Sequence, residues 1–524
     1  MFIQRRPPKG DPGEAVEKNI PTQQNPMQDF ISRNRAALLI VPAMILLLGM
    51  PCRAEAGVIK AELAARLDRS APGDEIPVII TLRDQFDPGS LRGKSRRAMR
   101  AELNRSLRAK AARTQGSLKR FLQRNKAGKV IPYWIFNGMA ATVRAELIID
   151  LAALPGVLSV ELDRMITLGE PEPALVIPPE WNIAAIRAPE LWNMGHTGSG
   201  VVVAAMDTGV DGDHPDLAPR WRGGSNSWFD PYGEYATPHD SNGHGTQVMG
   251  LMVGGGAGGT AVGAAPDARW IAVRIFDAEG NAALSAVHLG FQWLLDPDDD
   301  PATDDLPDVV NNSWGFDGAD AGECKDVFRP AVQALRAAGV AVVFAAGNSG
   351  PGPATSISPA NYPESFAVGA VDSALTIADR SARGPSACDG GIYPDLAALG
   401  VDVRTTDLTL GGTSPDDYAI VSGTSFAAPL VAGGMALLLS ADPELTVDQL
   451  EQALVRSAID LGIPGSDNDS GHGLVDLAAA HAFLQPRPPA GILFYTPIIT
   501  SAAARNAEPP PQPPCSGNDP DACP

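Results

Sequence analysis

The chain has 524 residues, with 41 Lys and Arg against 61 Asp and Glu, a formal charge of −20. Apolar residues make up 44% and charged residues 19%, which is globular usage, excludes a disordered chain and leaves room for two or three domains. The acidic balance excludes nucleic acid as the main partner, because phosphate binding needs clustered Lys and Arg.

The charge is uneven. Residues 1–56 carry +2, residues 57–170 carry +8, and residues 171–524 carry −30 with Lys325 as their one lysine. Such asymmetry suits pieces that attract one another or are meant to part.

At the N-terminus, Arg33 and Arg35 precede an apolar run at 36–50, followed by Ala54-Glu55-Ala56. This order predicts a secretory signal over 1–56. The run is 15 residues long and contains Pro42, short of the roughly 20 needed to span a bilayer, so no stable transmembrane anchor is expected. Pro51 stands before Cys52, where lipidation needs a small residue. The polar stretch ahead of Met27 points to translation from Met27. The product is then secreted, extracellular or periplasmic. Its remaining cysteines, Cys324, Cys388, Cys515 and Cys523, suit disulfides in an oxidising compartment, with three possible connectivities. The local pairing Cys324–Cys388 and Cys515–Cys523 is the expectation.

Next, 76–82 (IPVIITL) reads as a strand and 93–125 as one long basic helix. Residues 134–143 read as two strands around an Asn137-Gly138 turn, 145–156 as a helix and 157–162 as a strand. The order predicts a small two-layer α+β domain over 57–168. Residues 169–180, rich in Pro and Glu, read as an exposed connection. Beyond 200, apolar runs at 201–206, 270–275, 309–314, 340–346 and 366–371 alternate with helical segments, which implies a mostly parallel sheet buried on both faces. In such a sheet, reactive residues gather where strands end. Residues 488–524 read as a Pro-rich tail.

Three motifs fall at such places: Asp207-Thr208-Gly209, Asn242-Gly243-His244-Gly245-Thr246, and Gly423-Thr424-Ser425-Phe426-Ala427. Serine becomes a nucleophile only beside a base, and a carboxylate fixes the base's tautomer and supports its imidazolium. Each motif alone is modest, since a serine at a helix start is more often a cap. Together, in the order Asp, His, Ser, they are specific. His472, in SDNDSGHG, is the competing histidine.

On these residues the sequence resembles the subtilisin-like serine peptidases over about 178–485. The resemblance implies an α/β, three-layer fold over 169–487, preceded by a small α+β ferredoxin-like prodomain at 57–168 that inhibits the enzyme until it is removed. It implies Asp207, His244 and Ser425 as the triad and Asn348, in AAGNSG, as the oxyanion residue. It places Ser313, Trp314, Gly315, Ala345, Ala346 and Gly347 along the substrate, and self-cleavage at or within a few residues of Leu168. If Leu168 fills the first specificity pocket, a medium-sized apolar residue is tolerated there. The contexts of Cys324 and Cys388 are most similar to bacillopeptidase-F-type members. Substrates would be proteins or peptides, the enzyme a monomer, and the chemistry free of cofactors, with structural calcium possible.

Residues 296–308 hold seven aspartates. Their hard oxygens suit Ca²⁺, but EF-hand spacing is lacking, and such a run more often forms a solvated loop. Two other classes compete. A catalytically silent scaffold would have lost a triad or oxyanion residue, and none is missing. An esterase of the α/β-hydrolase type would want Gly-x-Ser-x-Gly, whereas Ser425 sits in GTSFA.

Overall fold

The structure is a computed structural model that describes residues 57–91, 96–168, 180–412 and 417–485. The signal at 1–56, the Met27 start, the connection at 169–179, the 488–524 tail and the Cys515–Cys523 pair lie outside these residues.

The first region alternates β1 (Val58–Ile59), α1 (Ala61–Leu67), β2 (Glu75–Leu82), α2 (Arg96–Thr114), α3 (Gly116–Arg124), β3 (Gly128–Tyr133), β4 (Gly138–Arg144), α4 (Ile148–Ala152), β5 (Val157–Leu162) and β6 (Met165–Thr167). Five strands form one sheet in the order β1-β5-β2-β4-β3. Period-two alternation splits β2 between two cores. Ile76, Val78 and Ile80 pack against Leu63, Leu118, Leu122, Ile148 and Leu151 of the same region. Ile79 faces the other way, into a core shared with Phe276, Phe291 and Phe328 of the second region.

Two expectations need correction. The long helix at 93–125 is two helices. Thr114 turns its hydroxyl back onto the Lys110 carbonyl, Gly116 weakens the helix that follows, and buried Gln115 between them donates to the carbonyls of Tyr133 and Gly138. The hairpin is also displaced: its first strand is Gly128–Tyr133, and residues 134–137 form the turn. Ile135 and Phe136 are apolar because they bury against the second region, not because they form a strand.

The second region opens with α5 (Trp181–Ala185) and α6 (Ala188–Asn193), then β7 (Val202–Asp207), β8 (Trp228–Phe229), α7 (His244–Val253), β9 (Arg269–Arg274), β10 (Asn281–Ala283) and α8 (Leu284–Leu295). It continues through β11 (Val309–Asn312), α9 (Arg329–Ala337), β12 (Ala341–Ala345), β13 (Phe366–Val371), β14 (Leu396–Leu399), β15 (Val403–Thr406), β16 (Tyr418–Val421), α10 (Thr424–Ala441), α11 (Val447–Ser457) and α12 (Leu477–Leu484). Seven strands form a parallel sheet, ordered β14-β13-β12-β11-β7-β9-β8. Its faces divide residue by residue. Val203 and Ala205 join the core of α7 and α10, while Ala204 and Met206 join that of α8 and α9. This is the expected three-layer α/β fold. α10 is long and apolar enough to cross a membrane, but 89% of it is buried, as a core helix should be.

Cys324 and Cys388 form the expected disulfide. Among the described residues an antiparallel ladder joins the regions: β6 pairs with β10, Thr167 opposite Asn281 and Met165 opposite Ala283.

Candidate active site

The three motif residues lie at strand ends and helix starts, and the Phe426 ring, next to Ser425 in the chain, sits 5.5 Å from the His244 ring. Asp207 ends β7, His244 opens α7, and Ser425 lies in the first turn of α10. All three are buried. His244 Nδ1 lies 2.7 Å from Asp207 Oδ1, which fixes the tautomer with the other ring nitrogen available as base. Burial opposes a charge on the imidazole, yet Asp207, through its charge and its hydrogen bond, and Asp240 together raise the His244 pKa above its ordinary value.

The loop before His244 is tied by a carboxylate that sequence reasoning missed. Asp240 accepts from the backbone N–H groups of Asn242, Gly243 and Thr246 and from the Thr246 hydroxyl. The signal was local, since Asp in DSNG is an Asx-turn residue. Gly245 is required by close approach: a Cβ there would sit 2.1 Å from the Gly209 carbonyl oxygen.

Asn348 Oδ1 accepts from the N–H and hydroxyl of Thr424. That leaves its amide N–H₂ as a donor on a residue that lines the same cavity as Ser425, and such a donor is of the kind that stabilises an oxyanion. Its own N–H donates to Asp317. Thr424 and Asp317 are thus positioning residues that the sequence reading did not single out. Ser425 Oγ donates to the Ser313 carbonyl at 3.3 Å, and Ser313 Oγ donates to the Ser425 carbonyl at 2.7 Å.

Ser425 opens onto a cavity of about 30 Å³ bounded by Ser313, Trp314, Gly315, Ala345, Gly347, Asn348 and Thr424, with Thr167 and Leu168 of the first region along one side. Ile357, also on its wall, was missed. It lies between Gly315 and Gly347, where an added Cβ on either would meet its side chain at 2.6 and 2.8 Å. No spacing in the sequence marks it, because it arrives from a loop ten residues past Gly347. The Trp314 ring packs into the core against Phe328 and Phe344. Of the expected substrate-lining residues, Ala346 is not brought to this cavity; it is fully buried, its carbonyl accepting from Tyr393. His472 lies in a half-buried turn, its N–H donating to Asp395.

The aspartate run at 296–308 is more than a solvated loop. Arg108 donates to Asp296 and Asp299, and buried Arg100 donates to Asp304, Asp308 and the Ala338 carbonyl. Carboxylate oxygens of Asp296, Asp298 and Asp305 lie within 4.8 Å of one another. They are donors of the type Ca²⁺ takes, but Asp296 is engaged by Arg108 while the first region is seated.

Comparison with known proteins agrees with this geometry. The model of the subtilase family matches residues 198–473. Bacillopeptidase F of Bacillus subtilis (strain 168) is 36% identical over 409 residues, covering 71% of this chain but only 28% of that protein. Subtilisin E of the same organism is 34% identical over 361 residues, 68% of this chain and 84% of that protein. Subtilisin BL of Lederbergia lenta is 38% identical over 301 residues, 57% and 97% of the two chains. Taken with the parallel sheet and the Asp207–His244 hydrogen bond, these matches establish that the chain belongs to the subtilase family of serine peptidases.

Proposed function

We propose that this chain is the precursor of an exported, monomeric serine endopeptidase, with a signal at 1–56, an inhibitory prodomain at 57–168, a catalytic domain at 169–487 and a tail at 488–524. The observation that carries the reading is the buried Asp207–His244 hydrogen bond, with Phe426, next to Ser425, packed 5.5 Å from the His244 ring.

In this mechanism His244 takes the Ser425 proton as the hydroxyl attacks the scissile carbonyl carbon, and Asp207 stays ionised to support the imidazolium. Asn348 N–H₂ and the Ser425 N–H stabilise the oxyanion. His244 then protonates the departing amine, and water, deprotonated by His244, releases the acyl group. No cofactor enters the chemistry. The small cavity beside Ile357 suits a small or medium apolar residue before the cut.

Inhibition by 57–168 is supported by the β6–β10 ladder, which lays a chain end along the cleft as a substrate would lie, with Leu168 and Thr167 reaching the Ser425 cavity. Its basic side chains also meet acidic partners: Lys60 with Asp326, Arg100 with Asp304 and Asp308, Arg108 with Asp296, and Arg164 with Asp320. Self-cleavage at or just beyond Leu168 frees this segment.

The test is a serine-directed covalent probe on the purified protein beside Ser425→Ala. The expected outcome is labelling and peptide hydrolysis in the parent, with hydrolysis at least about 10⁴-fold lower and no labelling in the variant. Equal labelling and hydrolysis in both would refute the assignment.

A further inference from the structure

One buried titratable group lies outside the catalytic machinery and directly on the surface that 57–168 covers. His288, in the middle of α8, is fully buried, and neither ring nitrogen has a hydrogen-bond partner among the described residues. Three aromatic rings enclose it: Phe136 at 4.3 Å and Tyr133 at 5.3 Å from the first region, and Phe328 at 4.9 Å from the second. The same face of α8 makes the other docking contacts. Ser285, one turn earlier, accepts from the Tyr133 hydroxyl through its carbonyl and donates its N–H to Asp163. Gln292, one turn later, accepts from the Trp134 N–H. Two of the three rings that seal His288 therefore belong to the part that must leave.

A histidine placed there gains nothing from hydrogen bonding, and burying unpaired polar nitrogens costs free energy. What the imidazole adds over a phenyl ring is a charge that it takes up only once uncovered. We propose that His288 is an acid-sensitive latch: it holds the 57–168 region on α8 while neutral and, by taking a proton in the undocked state, drives that region off as the surroundings acidify. This rests on the reading of 57–168 as an inhibitor.

The sign follows from linkage. In the docked state burial holds the imidazole down to about 3, whereas an exposed imidazole titrates near 6.5. The undocked state thus binds the extra proton, and docking weakens as pH falls below about 6.5, by roughly 30-fold between pH 8 and pH 5. Facing His288 or its contacts are Tyr133, whose phenol burial pushes up, and Asp163, raised by burial; Arg108 and Asp296 pair at the far end of α8. Elsewhere on the interface, burial pushes Glu161 up to about 7. Raised carboxylates act in the opposite sense, weakening docking as pH rises, so a comparison with a non-titrating residue at 288 isolates the effect.

The experiment uses the full chain after self-cleavage, with 57–168 still seated. The initial rate of Ser425 labelling by a serine-directed probe is measured at pH 8 and pH 5 for the parent, for His288→Phe, which keeps a ring, and for His288→Gln, which guards against a folding failure of the first variant. Titration of His244 is common to all three and cancels. The expected result is a parent-to-variant rate ratio about 30-fold higher at pH 5 than at pH 8. A ratio unchanged between the two pH values would overturn the latch and leave the inhibitor reading standing. Labelling at pH 8 already as fast as in enzyme freed of 57–168 would overturn the inhibitor reading, and the latch with it.

Discussion

The two regions bury their sheets differently. The seven-stranded sheet has both faces covered by helices of its own region, α7 and α10 on one side and α8 and α9 on the other. The five-stranded sheet closes one face with α1, α3 and α4 and turns the other to the second region, where Ile79, Tyr133 and Phe136 enter a shared core. The first arrangement suits a lasting scaffold, because its sheet keeps both faces covered when the neighbour departs and only the outer side of its helices is uncovered. The second suits a part whose lifetime is tied to its partner, because undocking exposes one apolar sheet face to water.

This difference makes substitutions separable. Those within the catalytic cleft should alter chemistry and leave docking intact, and those on the shared face should do the reverse. After the loss expected for Ser425→Ala, the largest effect is expected for Asn348→Ala, with kcat for a peptide substrate falling about 100- to 1000-fold at nearly unchanged KM, self-cleavage slowed in proportion and docking untouched. Loss of docking in that variant would break the comparison.

Next comes the shared face. Arg100 is buried and bonded to two aspartates and a backbone carbonyl, so Arg100→Ala leaves those acceptors short of a donor, at a cost of about 2 kcal/mol, or roughly 30-fold in docking. Lys60, in a solvent-exposed pair with Asp326, should matter by less than about fivefold. Release of the cut 57–168 segment should speed up with ionic strength through such exposed pairs; release measured by probe labelling across a salt series checks both statements. A rate independent of salt would mean that the charge asymmetry plays no part in holding the regions together.

The most selective change is at the cavity wall. Ile357→Gly removes the side chain that sits between Gly315 and Gly347. Its expected outcome is a shift of about 10- to 100-fold in relative kcat/KM toward large aromatic residues before the cut, read from a set of peptide substrates. An unchanged preference would show that another residue closes the pocket.

Much of this was legible in the sequence. The order Asp207, His244, Ser425 and the apolar runs gave both the catalytic constellation and the parallel sheet, because each residue sits at a strand end or helix start that composition marks. What stayed hidden depended on long-range packing. Ile357 reaches the cavity from a separate loop, and β14, only four residues long, lacks a run that periodicity detects. The displaced hairpin is instructive: Trp134-Ile135-Phe136 looks like a strand because both a strand and a docking turn require consecutive apolar residues. Likewise, the aspartates of 296–308 read as a solvated loop until Arg100 and Arg108, about 200 positions earlier, are placed against them.

The β6–β10 ladder has an evolutionary consequence. It is built from main-chain N–H and C=O groups, which every residue except proline supplies alike, and the Met165 side chain on it is largely exposed. The terminal segment of the first region is therefore free to drift in sequence while keeping its fit, provided that proline is avoided and the residue nearest the cut suits the cavity. Lineages of this enzyme should accordingly diverge faster at 165 than at Ile166, which is buried, while Thr167, on the wall of the Ser425 cavity and bonded by side chain to Asn281, is held back.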